Sequence, residues 1–230
     1  MAGLRLSVRP VRPYDIMPGA SRPAAEGWGV TAENRGGAER CDPARQDAAP
    51  TPVLGRSCGT CNLCCKVYSI KELNKAAGRW CIHCVRGSGC GIHPARPRSC
   101  REFFCSWLID PNLGPEWKPE VCRFVLSADA THRAIMVTVD PGRPLAWKRE
   151  PYYATLKKFS EVFFRIDQKV LVSLGGLITV VLPSRDVPVG MIAAGEEIVI
   201  WREGADYCAR LRRNSELAAR PAEGLRPDSI

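Results

Sequence analysis

Histidine is scarce in this chain, with only His83, His93 and His132 in 230 residues. So few imidazoles leave no identifiable partners for a Ser-His-Asp or Cys-His catalytic arrangement. Other signatures are missing as well. There is no phosphate loop, no G-x-G-x-x-G after a strand and no H-E-x-x-H, and the zinc-deaminase pattern H-x-E followed by P-C-x-x-C is absent. Long apolar runs are lacking too. The longest, Val170 to Leu182, is broken by Ser173, Gly175, Gly176 and Thr179, and a bilayer span takes about 20 residues. Residues 1–20 carry Arg5, Arg9, Arg12 and Asp15 without a continuous apolar core, so no cleaved export signal is expected. These absences predict a cytoplasmic protein with no membrane partner, in a reducing compartment where clustered cysteines mean metal or redox chemistry rather than stable bridges.

Cysteine is what the chain has in excess. Of twelve, nine fall between residues 58 and 105: Cys58, Cys61, Cys64, Cys65, Cys81, Cys84, Cys90, Cys100 and Cys105. Cys41 reads as a stray thiol, and Cys122 and Cys208 as buried or incidental thiols of a globular scaffold. The net charge of +9 raises the question of nucleic acid, and its location answers against it. Residues 58–110 hold eight basic and three acidic side chains, more than half of the excess. A four-thiolate site around a divalent ion is a −2 unit, so two such sites bring this segment near neutrality and weaken the case for a basic nucleic-acid surface.

The chain divides into four parts. Residues 1–57, rich in Ala, Gly, Pro and Arg, read as a poorly ordered N-terminal lead in which Met17 is an alternative start to Met1. Residues 58–110 form the cysteine-rich segment, punctuated by Gly87, Gly89, Gly91, Pro94 and Pro97. In it Ser69 and Glu72 fit a capping box for one short helix. Residues 111–219 show globular periodicity: CRFVL and AIMVTV as strands, with Cys122, Phe124 and Leu126 on one face. Pro151 then opens a helix carrying Tyr152, Leu156, Phe159, Phe163 and Ile166 on its apolar stripe. KVLVSL-GG-LITVVL reads as a Gly-Gly hairpin, GEEIVIW as a strand, and residues 205–219 as a weak helix. Residues 220–230 form a polar tail. The fold class expected is α+β: a small metal-templated Cys-rich lobe followed by antiparallel strands and one amphipathic helix.

The cysteine spacing carries the chemistry. C-x2-C turns converge two sulfurs on one ion while backbone N–H groups point at them and favour thiolate over thiol. Cys58–Cys61 and Cys81–Cys84 are therefore natural halves of one tetrahedral site. Adjacent Cys64 and Cys65 point to opposite sides of an extended segment, so they serve two metals, or one binds and the other packs. An odd set of nine argues against disulfides. Cys58, Cys61 and Cys64 also match the first three ligands of the ferredoxin run C-x2-C-x2-C-x3-C-P, but position 68 is Tyr68, so a distant Cys100 or Cys105 would have to complete a cluster. His83, between Cys81 and Cys84, and His93 are weaker candidates, and His132 reads as ordinary surface. A structural zinc site contributes roughly 10–16 kcal/mol at neutral pH, against a typical domain stability of about 5–15 kcal/mol. One ion would thus decide whether the segment folds.

CGTCNLCC followed by GCGIHPARPRSCREFFCSW resembles the zinc- or iron-chelating CxxCxxCC (YkgJ-type) cysteine-cluster family, which is mainly bacterial and mostly without assigned activity. The similarity covers Cys58, Cys61, Cys64, Cys65, Cys84, Cys90 and Cys100, in closer relatives Cys81 and Cys105, and extends to Arg96, Pro97, Arg101 and Phe103. It implies metal binding without choosing the metal. Pro97-Arg98 reads as a rigid turn that aims Cys100, with Arg96 and Arg101 near the thiolate charge. Three functions follow as expectations. The first is a metal-binding protein holding zinc, or iron, through the nine cysteines and presenting a surface to a protein partner. The second is an iron–sulfur redox or modification enzyme, by analogy with a flagellin lysine methylase that carries the same cysteine motif. The third is a zinc-ribbon-like nucleic-acid binder.

Overall fold

The computed structural model describes residues 50–215. The expectations for Cys41, for most of the lead and for the tail lie outside them. The fold is α+β, as the sequence predicts. Four short helices, α1 (Cys64–Val67), α2 (Arg98–Glu102), α3 (Ser106–Ile109) and α4 (Pro119–Cys122), precede or border the sheet, together with a two-stranded ribbon of β1 (Cys84–Val85) and β2 (Gly89–Cys90). A five-stranded sheet follows in the order β3-β4-β5-β6-β7. Its strands are β3 (Phe124–Asp129), β4 (Ala134–Val139), β5 (Lys169–Leu174), β6 (Leu177–Val181) and β7 (Asp186–Gly190). The single long helix α5 (Tyr152–Phe164) lies between β4 and β5, and a hairpin of β8 (Glu197–Glu203) and β9 (Asp206–Arg212) ends the described chain.

Neighbouring strands pair antiparallel except β4 and β5, which run parallel. The α5 crossover explains the exception, since parallel neighbours need a connection of a dozen or more residues. Gly175 and Gly176 turn β5 into β6 with φ of 60° and 92°, the double left-handed geometry of the expected Gly-Gly hairpin.

Alternation along the strands distributes two cores. Phe124, Leu126, Ile135, Val137, Val170, Val172 and Val181 face α5, where Tyr152, Leu156, Phe159 and Phe163 supply the opposing stripe. Cys122 joins this core fully buried, although it ends α4 rather than starting a strand. On the other face Leu171, Ile178 and Val180 pack under Ile198 of β8 and Leu211 of β9. That hairpin corrects one expectation: residues 206–212, read as a weak helix, are a strand in continuous register with β8. Arg, Leu and Ala are good helix formers, but Tyr207, Ala209 and Leu211 alternate onto the sheet, and cross-strand pairing overrides a weak local preference.

The rest of that second face, along β3, carries the cysteine segment. Val125, 0% exposed, packs with Leu63 and Val67, and Tyr68, Phe103 and Cys105 close around them. The Tyr68 hydroxyl is 3.2 Å from Ser127 Oγ. β3 is therefore buried on both faces and forms one wall of the cysteine lobe.

Candidate metal centre

One turn of helix organises the first cysteine run. Leu63 and Val67, four apart around α1, seat it on β3, and both Cys64 and Cys65 line the cavity beside it. The two are neighbours on a helical turn, about 100° apart per residue, and not on an extended backbone as the sequence reading assumed; a hydrogen bond joins their thiols. The Lys66 ammonium, 2.5 Å from the mostly buried Asp140 carboxylate, fixes the rotation of this turn.

Both C-x2-C segments are tight turns. The Cys61 N–H donates to the Cys58 carbonyl at 2.8 Å, and the Cys84 N–H to the Cys81 carbonyl at 3.0 Å. The second turn is tied to the first run where the Cys81 N–H meets the Cys65 carbonyl at 3.0 Å. It continues into the β1–β2 ribbon, where Cys84 and Cys90 are direct cross-strand partners. Gly91 N donates to His83 O at 2.8 Å, which makes Cys84 and Cys90 a non-hydrogen-bonded pair with closely approaching side chains. Gly89, at φ +108°, lets the ribbon touch the first turn, because a Cβ there would lie 2.8 Å from the Gly59 carbonyl oxygen.

Where a rigid Pro97-Arg98 turn was expected, Pro97 starts a helix, α2: its carbonyl accepts from Cys100 N at 3.1 Å and Arg101 N at 3.0 Å. The expected Ser69–Glu72 capping box does not form. Residues Lys71–Leu73 make only a 3-10 turn without a side-chain cap. Glu72 instead accepts from Ser99 N at 3.1 Å and Ser99 Oγ at 3.0 Å, and so caps the start of α2. Past Cys105, the Arg56 guanidinium donates to the carbonyls of Trp107, Asp110 and Leu113 at the end of α3. The last residues of the expected lead are therefore part of the lobe.

Eight of the nine candidate cysteines, Cys58, Cys61, Cys64, Cys65, Cys81, Cys90, Cys100 and Cys105, line one cavity of about 340 Å3. The ninth, Cys84, reaches it through a hydrogen bond to Cys65. The thiols feel one another across the cavity. Cys64 feels its neighbour Cys65 most, and Cys64 and Cys105 each feel Cys58 and Cys61. Cys84 and Cys100 each feel Cys65, Cys81 and Cys90. The adjacent pair Cys64–Cys65, joined by a hydrogen bond, links the surroundings of the two C-x2-C turns.

The thiols are unequal. Hydrogen bonds from Cys64 and Cys84 hold Cys65 below the ordinary thiol range against the opposing effect of burial, with the Lys75 and Arg96 charges assisting. Donating to Cys65, together with burial, pushes Cys64 well up. Burial raises Cys84 and Cys105 to about 11 and raises Cys61, which backbone N–H groups of Leu63 and Glu120 partly offset. Lys75 is a cation beside the thiols that spacing could not reveal. Its ammonium donates to the Lys66 carbonyl at 2.9 Å and to the Tyr68 carbonyl, and feels Cys81, Cys65, Cys64 and Cys100. An Ile70–Lys75 bridge folds it back beside the thiols, a turn with no distinctive residue pattern.

Among the described residues, no three His, Cys, Asp or Glu side chains are drawn together closely enough to form a finished metal-binding group. The sulfurs surround a shared space. His83 and His93 also line it, with His93 engaged by Arg96. His132 lies elsewhere, hydrogen-bonded to Asp129. Cys122 and Cys208 are buried in the scaffold as expected. No described helix is long and apolar enough to cross a membrane. In comparisons with known proteins, no family model matches the chain, nor does any curated protein or solved structure.

Proposed function

We propose that the chain is a metal-binding protein that holds zinc, or iron, through its cysteine lobe. The observation that carries this reading is the convergence of eight thiols on one cavity, with the ninth attached to it through Cys65. The donor set fits a thiophilic ion: soft thiolates on C-x2-C turns suit zinc and iron–sulfur centres rather than magnesium or calcium. Cys58, Cys61, Cys64 and Cys105 would hold one centre, and Cys65, Cys81, Cys84, Cys90 and Cys100 the other. Bound zinc would supply cohesion, whereas iron with sulfide would supply electron transfer. Lys75 and Arg96 offset anionic charge beside Cys65, and Tyr68 and Phe103, ring centroids 4.8 Å apart, pack with Cys105 against the sheet.

Elemental analysis with an absorption spectrum on protein purified without oxygen tests this. Zinc near two per chain with no visible band supports two closed structural centres. Iron with sulfide and a broad visible band supports the redox form. Protein lacking metal, and binding none when zinc or ferrous iron is supplied under reducing conditions, refutes the proposal.

A further inference from the structure

A second cavity lies far from the thiols, at the opposite end of the sheet. It occupies about 690 Å3 between the β3–β4 turn, the loop from α5 into β5 and the segment leading into β8. That volume suits a small organic ligand, whose sites typically measure about 300–1,000 Å3. Most of its charges are already matched. Arg133 pairs with Asp167 at 2.5 Å, Arg212 with Glu197, and Glu196 with Arg213 at 3.1 Å. Arg133 and Asp167 are both non-glycine residues with positive φ, 50° and 54°. The side chains that make these positions costly form the bridge that pins the two turns together across the cavity.

Two groups on the wall are not matched in this way. Lys169 has no carboxylate partner among the described residues; its ammonium only approaches the His132 carbonyl, at 3.5 Å. The His132 ring is held by Nδ1 donating to Asp129 Oδ2 at 2.7 Å, while Asp129 Oδ1 accepts the His132 backbone N–H at 3.1 Å. That carboxylate fixes the ring's orientation and leaves Nε2 as its open position. Phe164, braced edge-on by Tyr207 at 4.8 Å between ring centroids, supplies an apolar surface alongside.

We infer that this cavity is a binding site for a small organic acid with a single negative charge and a flat apolar body. Lys169 receives the carboxylate and Phe164 covers the body, with the His132 ring alongside as a reporter of occupancy. A dianion would find one unmatched cation, and a neutral polar ligand would leave Lys169 unused. The site is independent of the cysteine lobe.

Titration of the full-length protein with benzoate, followed by the ring proton resonances of His132, tests it. The expected result is a saturable shift in the millimolar range, weakened at least about tenfold in Lys169→Met, the weight of one charge-assisted hydrogen bond. Lys158→Met, on an exposed position of α5, leaves it unchanged. Benzyl alcohol, the same body without charge, gives no saturable shift. Absence of a saturable shift with benzoate, equal binding of benzyl alcohol, or benzoate binding that survives Lys169→Met would overturn the inference.

Discussion

Val125→Ala should loosen the cysteine lobe without equally loosening the rest of the protein. Val125 is 0% exposed and faces Leu63 and Val67, so the substitution removes two buried carbons. At about 0.8 kcal/mol each, plus a cavity contribution, the loss is about 2 kcal/mol. If the lobe opens locally, that energy raises the population of opened molecules about 30-fold. The control is Val137→Ala, also 0% exposed but facing α5 in the other core. Both variants should lose similar stability to denaturant. In protein as purified, reaction of the nine lobe cysteines with a thiol reagent, mapped by mass spectrometry without denaturant, should accelerate strongly only in Val125→Ala. Equal acceleration in both variants, or none in Val125→Ala, would refute the view that β3 is the structural wall of the lobe.

Further outcomes follow from individual contacts. Lys66→Met strands the Asp140 carboxylate, whose side chain is only 10% exposed, and should cost about 3 kcal/mol in denaturant unfolding; adding Asp140→Asn should restore part of it. Burial pushes the Asp186 carboxyl up, but hydrogen bonds from Lys157, Tyr153 and Lys148 outweigh it and hold the group below its ordinary value. A depressed folded-state value stabilises the protein above the unfolded carboxyl pKa of about 3.9 and is lost as pH falls through the folded value. Asp186→Asn should therefore flatten the acid limb of a stability-versus-pH curve and lower stability at neutral pH. Glu72→Gln should speed labelling of Cys100 selectively, because Glu72 caps the start of α2 from 3.1 Å; unchanged labelling would mean that Pro97 alone holds the turn.

The scaffold was readable where burial and local preference agree. Tyr152, Leu156, Phe159 and Phe163 recur at helical spacing and are all buried on α5, and the Gly175-Gly176 turn declared its hairpin. Reading failed where a distant partner decided the outcome. Arg210, Leu211 and Arg212 favour a helix taken alone, and only β8 beside them makes β9. Ser69 and Glu72 have capping-box spacing, yet Ser99, which is remote in sequence, takes the carboxylate. The parallel β4–β5 pairing likewise depends on where α5 lands, which a strand pattern does not encode.

The cysteines follow the same logic one level up. Spacing identifies which thiols form turns, since C-x2-C is a local geometry, and both turns are present. How the two turns meet depends on the path of the chain between them, set by the Cys81–Cys65 backbone bond and the Cys84–Cys90 ribbon register. Adjacent Cys64 and Cys65 could only be read as divergent. The helical turn that Leu63 and Val67 anchor to Val125 then decides where each one points. An apolar contact on one side of α1 thereby helps to place the thiols on the other, so sheet packing and sulfur geometry in this lobe are two consequences of the same turn.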